Sequence, residues 1–298
     1  MITTPQISQS RAWLLAIRPK TLPAAVSPVV VGVALARSDG AFSLLPALAA
    51  LVAALLLQIG TNLANDYFDY VKGVDIEGRK GPLRAAQSGL LSLPALQAGI
   101  VVTFAAAAAV GLYLVAIGGW PILVLGAAAL LSAVAYTGGP FPIGYYGLGD
   151  LFVFVFFGLA GVCGTYYVQA LALTPAAVLA GAAVGALTTA ILVVNNLRDI
   201  ETDRQTGKRS LAVVLGPGAT RLEYLLLLIL AYAIPVVLWS TGQSAVWVLL
   251  PWLTAPLALR LYRRIGQTTA GKALNKALAG TANLDLAFSA LFALGLVL

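Results

Sequence analysis

Residues 44–69 read LLPALAALVAALLLQIGTNLANDYFD. The first 21 of them hold no charged residue, and about 20 predominantly apolar residues suffice for a helix to cross a bilayer. The run then turns polar without losing helical spacing. Gln58, Asn62, Asn65, Asp66 and Asp69 recur at three- and four-residue steps, so a continuing helix presents them on one face. Three amides and two carboxylates therefore gather at one end of a membrane span.

The rest of the chain repeats this chemistry. Of 298 residues, 60% are hydrophobic and 10% charged, where soluble domains carry about 25% charged residues. The expected fold is all-α and polytopic, with the bilayer as solvent. Nine spans are predicted, near residues 22–36, 44–64, 95–117, 120–137, 151–171, 176–195, 222–241, 245–260 and 281–298. Glycines within the apolar runs, Gly158, Gly161, Gly181 and Gly185, are candidates for close helix approach. No loop is long enough for an independent core, so residues 1–298 are read as a single domain. The polar stretch Met1–Ala12 lacks the pattern of a cleavable signal peptide.

Charge sets the expected orientation. With nine alternating spans, Arg11, Arg18 and Lys20 share a side with Lys72, Arg79, Lys80 and Arg84 of the 65–94 connection. The basic residues of 196–221 and 261–280 join them, and of 18 Lys and Arg only Arg37 falls on the other side. The positive-inside rule makes the shared side, with the N-terminus, cytoplasmic. Around the 261–280 connection, Arg263, Arg264, Lys272 and Lys276 suggest an interfacial helix against anionic lipid.

Histidine is absent, which excludes His-based acid–base catalysis, a His-containing triad and His-ligated metals. The lone Cys163 cannot form an intrachain disulfide and reads as a small packed residue. The net charge of +7 suits anionic lipid or an anionic substrate; nothing points to nucleic acid. Asp150 and Asp285 stand near the starts of predicted spans, where a helix dipole stabilises an acid.

A second acidic stripe lies at the same predicted face, at the end of span six. Asn195, Asp199 and Asp203 are four apart and drift only about 40° per step on a helix; Glu201 points elsewhere. Gly73 is expected to break the helix after the first stripe because glycine tolerates the left-handed backbone, and a break there would let Asp75 fold back. Carboxylates at the membrane edge mark function by default, and two facing stripes repel unless a cation intervenes. Mg2+ takes oxygen ligands, commonly one or two carboxylates plus substrate phosphates. Lys208 and Arg209, just beyond Asp203, suit a phosphate.

The two motifs, Asn65-Asp66-Tyr-Phe-Asp69 and Asp199-Ile-Glu-Thr-Asp203, resemble those of the UbiA-type intramembrane prenyltransferases. One departure is Gly73, where a third acid of motif one is expected; Asp75 is the nearest. Within the family the likeness is greatest to the branch that prenylates 1,4-dihydroxy-2-naphthoate. It rests on Arg18-Pro-Lys20-Thr21-Leu-Pro, Gly81-Pro-Leu-Arg84-Ala-Ala-Gln87-Ser88-Gly89, Tyr136-Thr-Gly-Gly-Pro-Phe-Pro, Gly164-Thr-Tyr-Tyr and Gly147-Leu-Gly-Asp150, the last ending in Asp150 where the family usually has Glu.

The resemblance implies transfer of a polyprenyl or phytyl group from its diphosphate to that naphthoate, with loss of pyrophosphate and CO2, in menaquinone or phylloquinone synthesis, in the inner (plasma) membrane. It implies metal-linked roles for Asn65, Asp66, Asp69, Asp75, Asn195, Asp199 and Asp203, with Asp69, Asp199 and Asp203 central to catalysis and Mg2+ as cofactor. Diphosphate contacts fall to Lys72, Lys208 and Arg209. The acceptor carboxylate is assigned to Arg84, with Gln87 and Ser88 beside it. Tyr67, Phe68, Tyr136, Phe141, Tyr145 and Tyr146 could face an allylic cation, though aromatics at this depth commonly serve as membrane anchors. The alternatives are another aromatic acceptor such as hydroxybenzoate or homogentisate, a CDP-alcohol phosphotransferase, whose extended Asp-rich motif is missing, and a cation-coupled transporter.

Overall fold

A computed structural model describes residues 8–75, 81, 83–268 and 271–298; Arg79, Lys80 and the side chain of Lys272 lie outside the described residues. Every described regular element is helical. In chain order they are α1 (Gln9–Ile17), α2 (Pro23–Ser38), α3 (Leu44–Val71), α4 (Leu93–Gly118) and α5 (Trp120–Ala135). Then come α6 (Gly149–Ala170), α7 (Pro175–Gln205), α8 (Leu211–Ser240), α9 (Ala255–Gln267) and α10 (Gly271–Val297). A 3-10 stretch, Val246–Thr254, leads into α9.

A helix occupies each of the nine apolar stretches. Among the described residues, six helices are long and apolar enough to cross a membrane, or seven with the bent pair Gln9–Thr21 and Pro23–Ser38 taken as one span. The α5 helix has 16 residues, about 24 Å at 1.5 Å per residue, short of the hydrocarbon thickness unless the bilayer adapts.

The centre of the bundle is α7, with 72% of its most apolar window buried, against 11% for α4. This contrast separates a protein-packed helix from a lipid-facing one. On α4, Val101, Val102 and Leu112 are each more than 60% exposed, as suits a surface solvated by lipid chains. Glycines let α6 meet α7 backbone to backbone. A Cβ on Gly158 would lie 2.6 Å from Gly181 O of α7; on the side facing α2, one on Gly161 would lie 2.8 Å from Pro28 Cβ. Residues Phe154–Ala160 of α6, which include Gly158, are wound as a π-helix, so the contact falls within a wider turn.

Both acidic stretches continue their spans as helix. The α3 helix ends at Val71, and Gly73 follows at φ 68 with Val74 N–H donating to Asp69 O at 2.9 Å. The reading of Asp285 needs correcting. Its helix begins at Gly271, ten residues before the predicted span at 281, so Asp285 sits mid-helix and fully buried, accepting 2.7 Å from Ser27 Oγ on α2. A terminal dipole does not stabilise it. Asp150 does occupy a first helical turn, that of α6. On α9, Ala258, Leu261 and Ile265 are buried while Arg260, Arg263 and Arg264 are exposed, the division an interfacial helix requires.

Candidate active site

One cavity of about 960 Å³ runs between α2, α3, α4, α5, α6 and α7. Its wall follows α3 from Ala50 to Asp69, about 28 Å of helix. Most of the lining is apolar, including Leu57, Leu114, Leu125, Phe156 and Leu192. The motif end is ionic: Arg18, Lys20, Asp69, Arg84, Arg198 and Lys208 all reach it. Among the described residues, Asp69 is the one carboxylate on the wall.

Each motif acid is buried and each has a protein counterpart. Asp66, 1% exposed, accepts from the backbone N–H groups of Ala85 and Ala86 at 3.0 and 3.4 Å. Asp69 accepts from Arg84 Nη2 at 2.7 Å and from Tyr145 Oη at 2.6 Å. Arg84 Nε also lies 3.4 Å from Asp75 Oδ2, so the break at Gly73 does return Asp75 to the cluster. In the second motif, Arg198 grips Asp199 twice, Nε at 2.7 Å from Oδ1 and Nη2 at 2.5 Å from Oδ2. Lys208 Nζ lies 3.5 Å from Asp203 Oδ1. Glu201 is exposed and pairs with Arg204, apart from the site.

Tyr145 ties the two motifs together. Its hydroxyl holds Asp69, while Lys72 and Lys208 place their ammonium groups 5.2 and 5.6 Å from its ring centroid. Its carbonyl accepts from Arg209 N–H at 3.0 Å. Burial raises the phenol well above its ordinary value, and the negative charge and hydrogen bond of Asp69 add to this.

Several assigned side chains are engaged otherwise than expected. Lys72 Nζ donates to the carbonyls of Thr137 and Gly139 at 2.7 and 3.1 Å, and it is not on the cavity wall. Its position makes it a tether for the 136–148 connection. Asn65 Oδ1 accepts from Thr137 Oγ1 and Asn195 Oδ1 from Arg198 Nη2, at 2.9 and 2.8 Å. Gln87 Nε2 donates to Asp75 O at 2.9 Å; Ser88 and Arg209 are exposed, and none of the three lines the cavity. Sequence reading missed Arg198, although its place beside Asp199 in a membrane-embedded stripe demanded a counter-charge.

The donor set fits a hard divalent cation. It consists of oxygens alone, and Asp203 Oδ2 is buried with no hydrogen-bond partner. No three acidic, His or Cys groups among the described residues close on one point. That pattern matches Mg2+ held by one or two carboxylates with phosphate oxygens completing its shell, rather than a cage made by protein alone.

The model of the UbiA prenyltransferase family matches residues 25–292. The chain belongs to this family. Membership sets aside the phosphotransferase and transporter alternatives. A relative from Escherichia coli (strain K12), a 1,4-dihydroxy-2-naphthoate octaprenyltransferase, is 40% identical over 100% of this chain and 98% of its own length. One of the same name from Mycobacterium tuberculosis is 41% identical over 83% and 84%. UbiA prenyltransferase domain-containing protein 1 of Gallus gallus is 33% identical over 96% and 85%. The fold is shared with the apo structure of a UbiA homologue from Aeropyrum pernix, at TM-score 0.68, 21% identity and coverage of 94% and 98%. It is also shared with a UbiA homologue from Archaeoglobus fulgidus bound to DMAPP and Mg2+, at TM-score 0.64, 14% identity and coverage of 94% and 98%.

Proposed function

We propose that this protein transfers a polyprenyl or phytyl group from its diphosphate to 1,4-dihydroxy-2-naphthoate, releasing pyrophosphate and CO2, in menaquinone or phylloquinone synthesis. The cavity carries the reading: it is long and apolar along α3 and α4, and ionic only where the two motifs meet. A prenyl diphosphate has that same division. The acceptor is supported by relatives of that name at 40% and 41% identity. The proposed setting is the inner (plasma) membrane, with one domain over residues 1–298, nine crossings and the motif face cytoplasmic.

Asp66 and Asp69 with Asp199 and Asp203 would hold Mg2+, which supplies positive charge to the departing diphosphate when bound. Lys208, on the wall beside Tyr145, adds an ammonium to the same end. The apolar wall excludes water from the allylic cation, which water would otherwise capture. Attack by the ring carbon bearing the carboxylate converts the neighbouring hydroxyl to a ketone and releases a proton. Loss of CO2 then leaves an enolate that takes one proton back, so the two steps need no net proton.

The test is a transfer assay with purified protein, Mg2+, geranylgeranyl diphosphate and 1,4-dihydroxy-2-naphthoate, with hydroxybenzoate and homogentisate in parallel. A decarboxylated prenyl-naphthalenediol product, abolished by chelation and in Asp69→Ala and Asp199→Ala, supports the reading. Product from another acceptor alone overturns the naphthoate assignment and keeps the metal site.

A further inference from the structure

We propose that Ser210, in the turn between α7 and α8, is a positioning residue that orients the Asp203 carboxylate toward the cation. The proposal rests on the metal reading above and adds a residue that neither motif contains.

The turn folds back over the end of α7. Gly207 stands at φ 75, a left-handed backbone that glycine adopts freely. Lys208 N–H donates to Asp203 O at 2.9 Å, and Arg209 N–H donates to Tyr145 O at 3.0 Å. Ser210 follows at the N-cap of α8, with φ −55, ψ 158 and 2% exposure. A serine at that position ordinarily accepts from a backbone N–H of the first helical turn. The Ser210 side chain makes no such bond, although its carbonyl opens the helix by accepting Val214 N–H at 3.1 Å. Its hydroxyl is directed instead at the Asp203 carboxyl.

Asp203 is held more loosely than the other three motif acids. Asp66 has two backbone N–H groups, Asp69 has Arg84 and Tyr145, and Asp199 has two nitrogens of Arg198. Asp203 has Lys208 Nζ at 3.5 Å, a longer contact than any of these, and the Ser210 hydroxyl. The two partners differ in what else they serve. Lys208 lines the cavity and gives its charge to the diphosphate in the reading above, whereas Ser210 is off the wall. When Lys208 turns to the substrate, Ser210 is the donor left to the Asp203 side chain among the described residues. Neither Ser210 Oγ nor Asp203 Oδ2 has a hydrogen bond of ordinary length and angle. The hydroxyl is thus near enough to steer the carboxylate and leaves it room to turn onto a cation.

A carboxylate that ligates a metal is itself held by hydrogen bonds, which fix its rotation. A hydroxyl that donates to one oxygen of Asp203 leaves the other facing the cation. Without that donor the carboxylate rotates freely, and each binding event must first order it.

The experiment uses full-length protein in lipid nanodiscs with a non-reactive prenyl thiolodiphosphate. Affinity for Mn2+, a paramagnetic substitute for Mg2+, is read by EPR, folding by thermal melting, and Mg2+ half-saturation by turnover with the natural donor class. Ser210→Ala and Ser210→Gly both remove the hydroxyl, but glycine is a good N-cap and alanine a poor one. Each should weaken Mn2+ binding about tenfold, as loss of a hydrogen bond behind a metal ligand does, and raise Mg2+ half-saturation by a like factor. Ser210→Thr, which keeps the hydroxyl, should restore most of the affinity. In an Asp203→Asn background, itself weakened, Ser210→Ala should cause no further loss of Mn2+ affinity, because it acts through that carboxylate. Ser210→Gly decides the matter if Ser210→Ala does not fold. Unchanged Mn2+ affinity in folded Ser210→Gly overturns the proposal, as does an additive loss in the Asp203→Asn background. So does a loss confined to melting temperature and larger for alanine than for glycine, which assigns Ser210 to capping α8. Wild-type protein that binds no Mn2+ overturns the metal reading first.

Discussion

The Tyr145 hydroxyl donates a 2.6 Å hydrogen bond to Asp69 Oδ1, and its ring takes the ammonium groups of Lys72 and Lys208. One side chain from the 136–148 connection therefore links the first motif to the basic segment after the second. Hydrogen bonds to charged groups contribute about 1.5–3 kcal/mol, and a cation over an aromatic face about 0.5–2 kcal/mol.

These two contributions are separable. Tyr145→Phe keeps the ring and loses the donor, and should reduce kcat/KM about tenfold or more. Tyr145→Leu loses both and should reduce it further, by about threefold or more. Steady-state kinetics with both variants checks this; equal losses would show that the ring contributes nothing.

The phenol also predicts an alkaline response. Burial, then the charge and hydrogen bond of Asp69, hold Tyr145 above its ordinary value in the native state, whereas the unfolded chain releases that proton near pH 10. Raised native affinity for a proton means stability is fully present below pH 10 and lost as pH rises beyond it. The loss is bounded by about 1.4 kcal/mol per pH unit and reduced by the ring's partial exposure. Thermal melts from pH 9 to 11 should fall less steeply for Tyr145→Phe than for wild type.

Much of this arrangement was legible in residue order. Spacing alone put Asp66 and Asp69, and Asp199 and Asp203, on helix faces, and Gly73 marked the break that returns Asp75. The partners across space were not legible. Nothing in the order of residues links Tyr145 to Asp69, 76 positions earlier. Lys72 reads as a phosphate ligand by proximity, yet its ammonium reaches two carbonyls beyond α5. Asp285 looked terminal because Lys276 and Asn275 interrupt the apolar pattern; both are nonetheless helical in α10, and the Asn275 side chain accepts from Arg198 Nη1 at 2.9 Å.

Arg84 should act as an internal counter-ion. It is 5% exposed and bridges Asp69 and Asp75. Arg84→Ala leaves two carboxylates facing each other without it, a change that typically destabilises by about 3–5 kcal/mol. The melting temperature in EDTA should fall by several degrees, and Mg2+ should restore part of it by supplying the missing positive charge. A variant as stable as wild type in EDTA would refute this role.

Arg198→Lys tests geometry at constant charge. The guanidinium makes four hydrogen bonds, to Asp199 twice, Asn195 and Asn275, and an ammonium cannot reproduce that planar fork. Activity should fall at least about tenfold, equivalent to about 1.4 kcal/mol. Half-maximal Mg2+ concentration should shift with it, because Asp199 loses the partner that orients it.

The contact between α6 and α7 predicts a loss with no chemistry involved. Adding a methyl group at Gly158 would place it 2.6 Å from Gly181 O and 2.8 Å from Gly185 N. Both obstacles are backbone, so relief requires the helices to separate, and overpacking of this kind costs about 1–3 kcal/mol or more. Because Phe152, Phe156 and Phe157 on the same helix line the cavity, separation should also disturb the prenyl channel. Gly158→Ala should therefore lower thermal stability and raise the KM for long prenyl diphosphates more than for short ones. Gly218→Ala, where the added group meets nothing within 4 Å, is the matched control and should leave both unchanged; a similar loss in the two variants would assign the effect to glycine chemistry in general rather than to this contact.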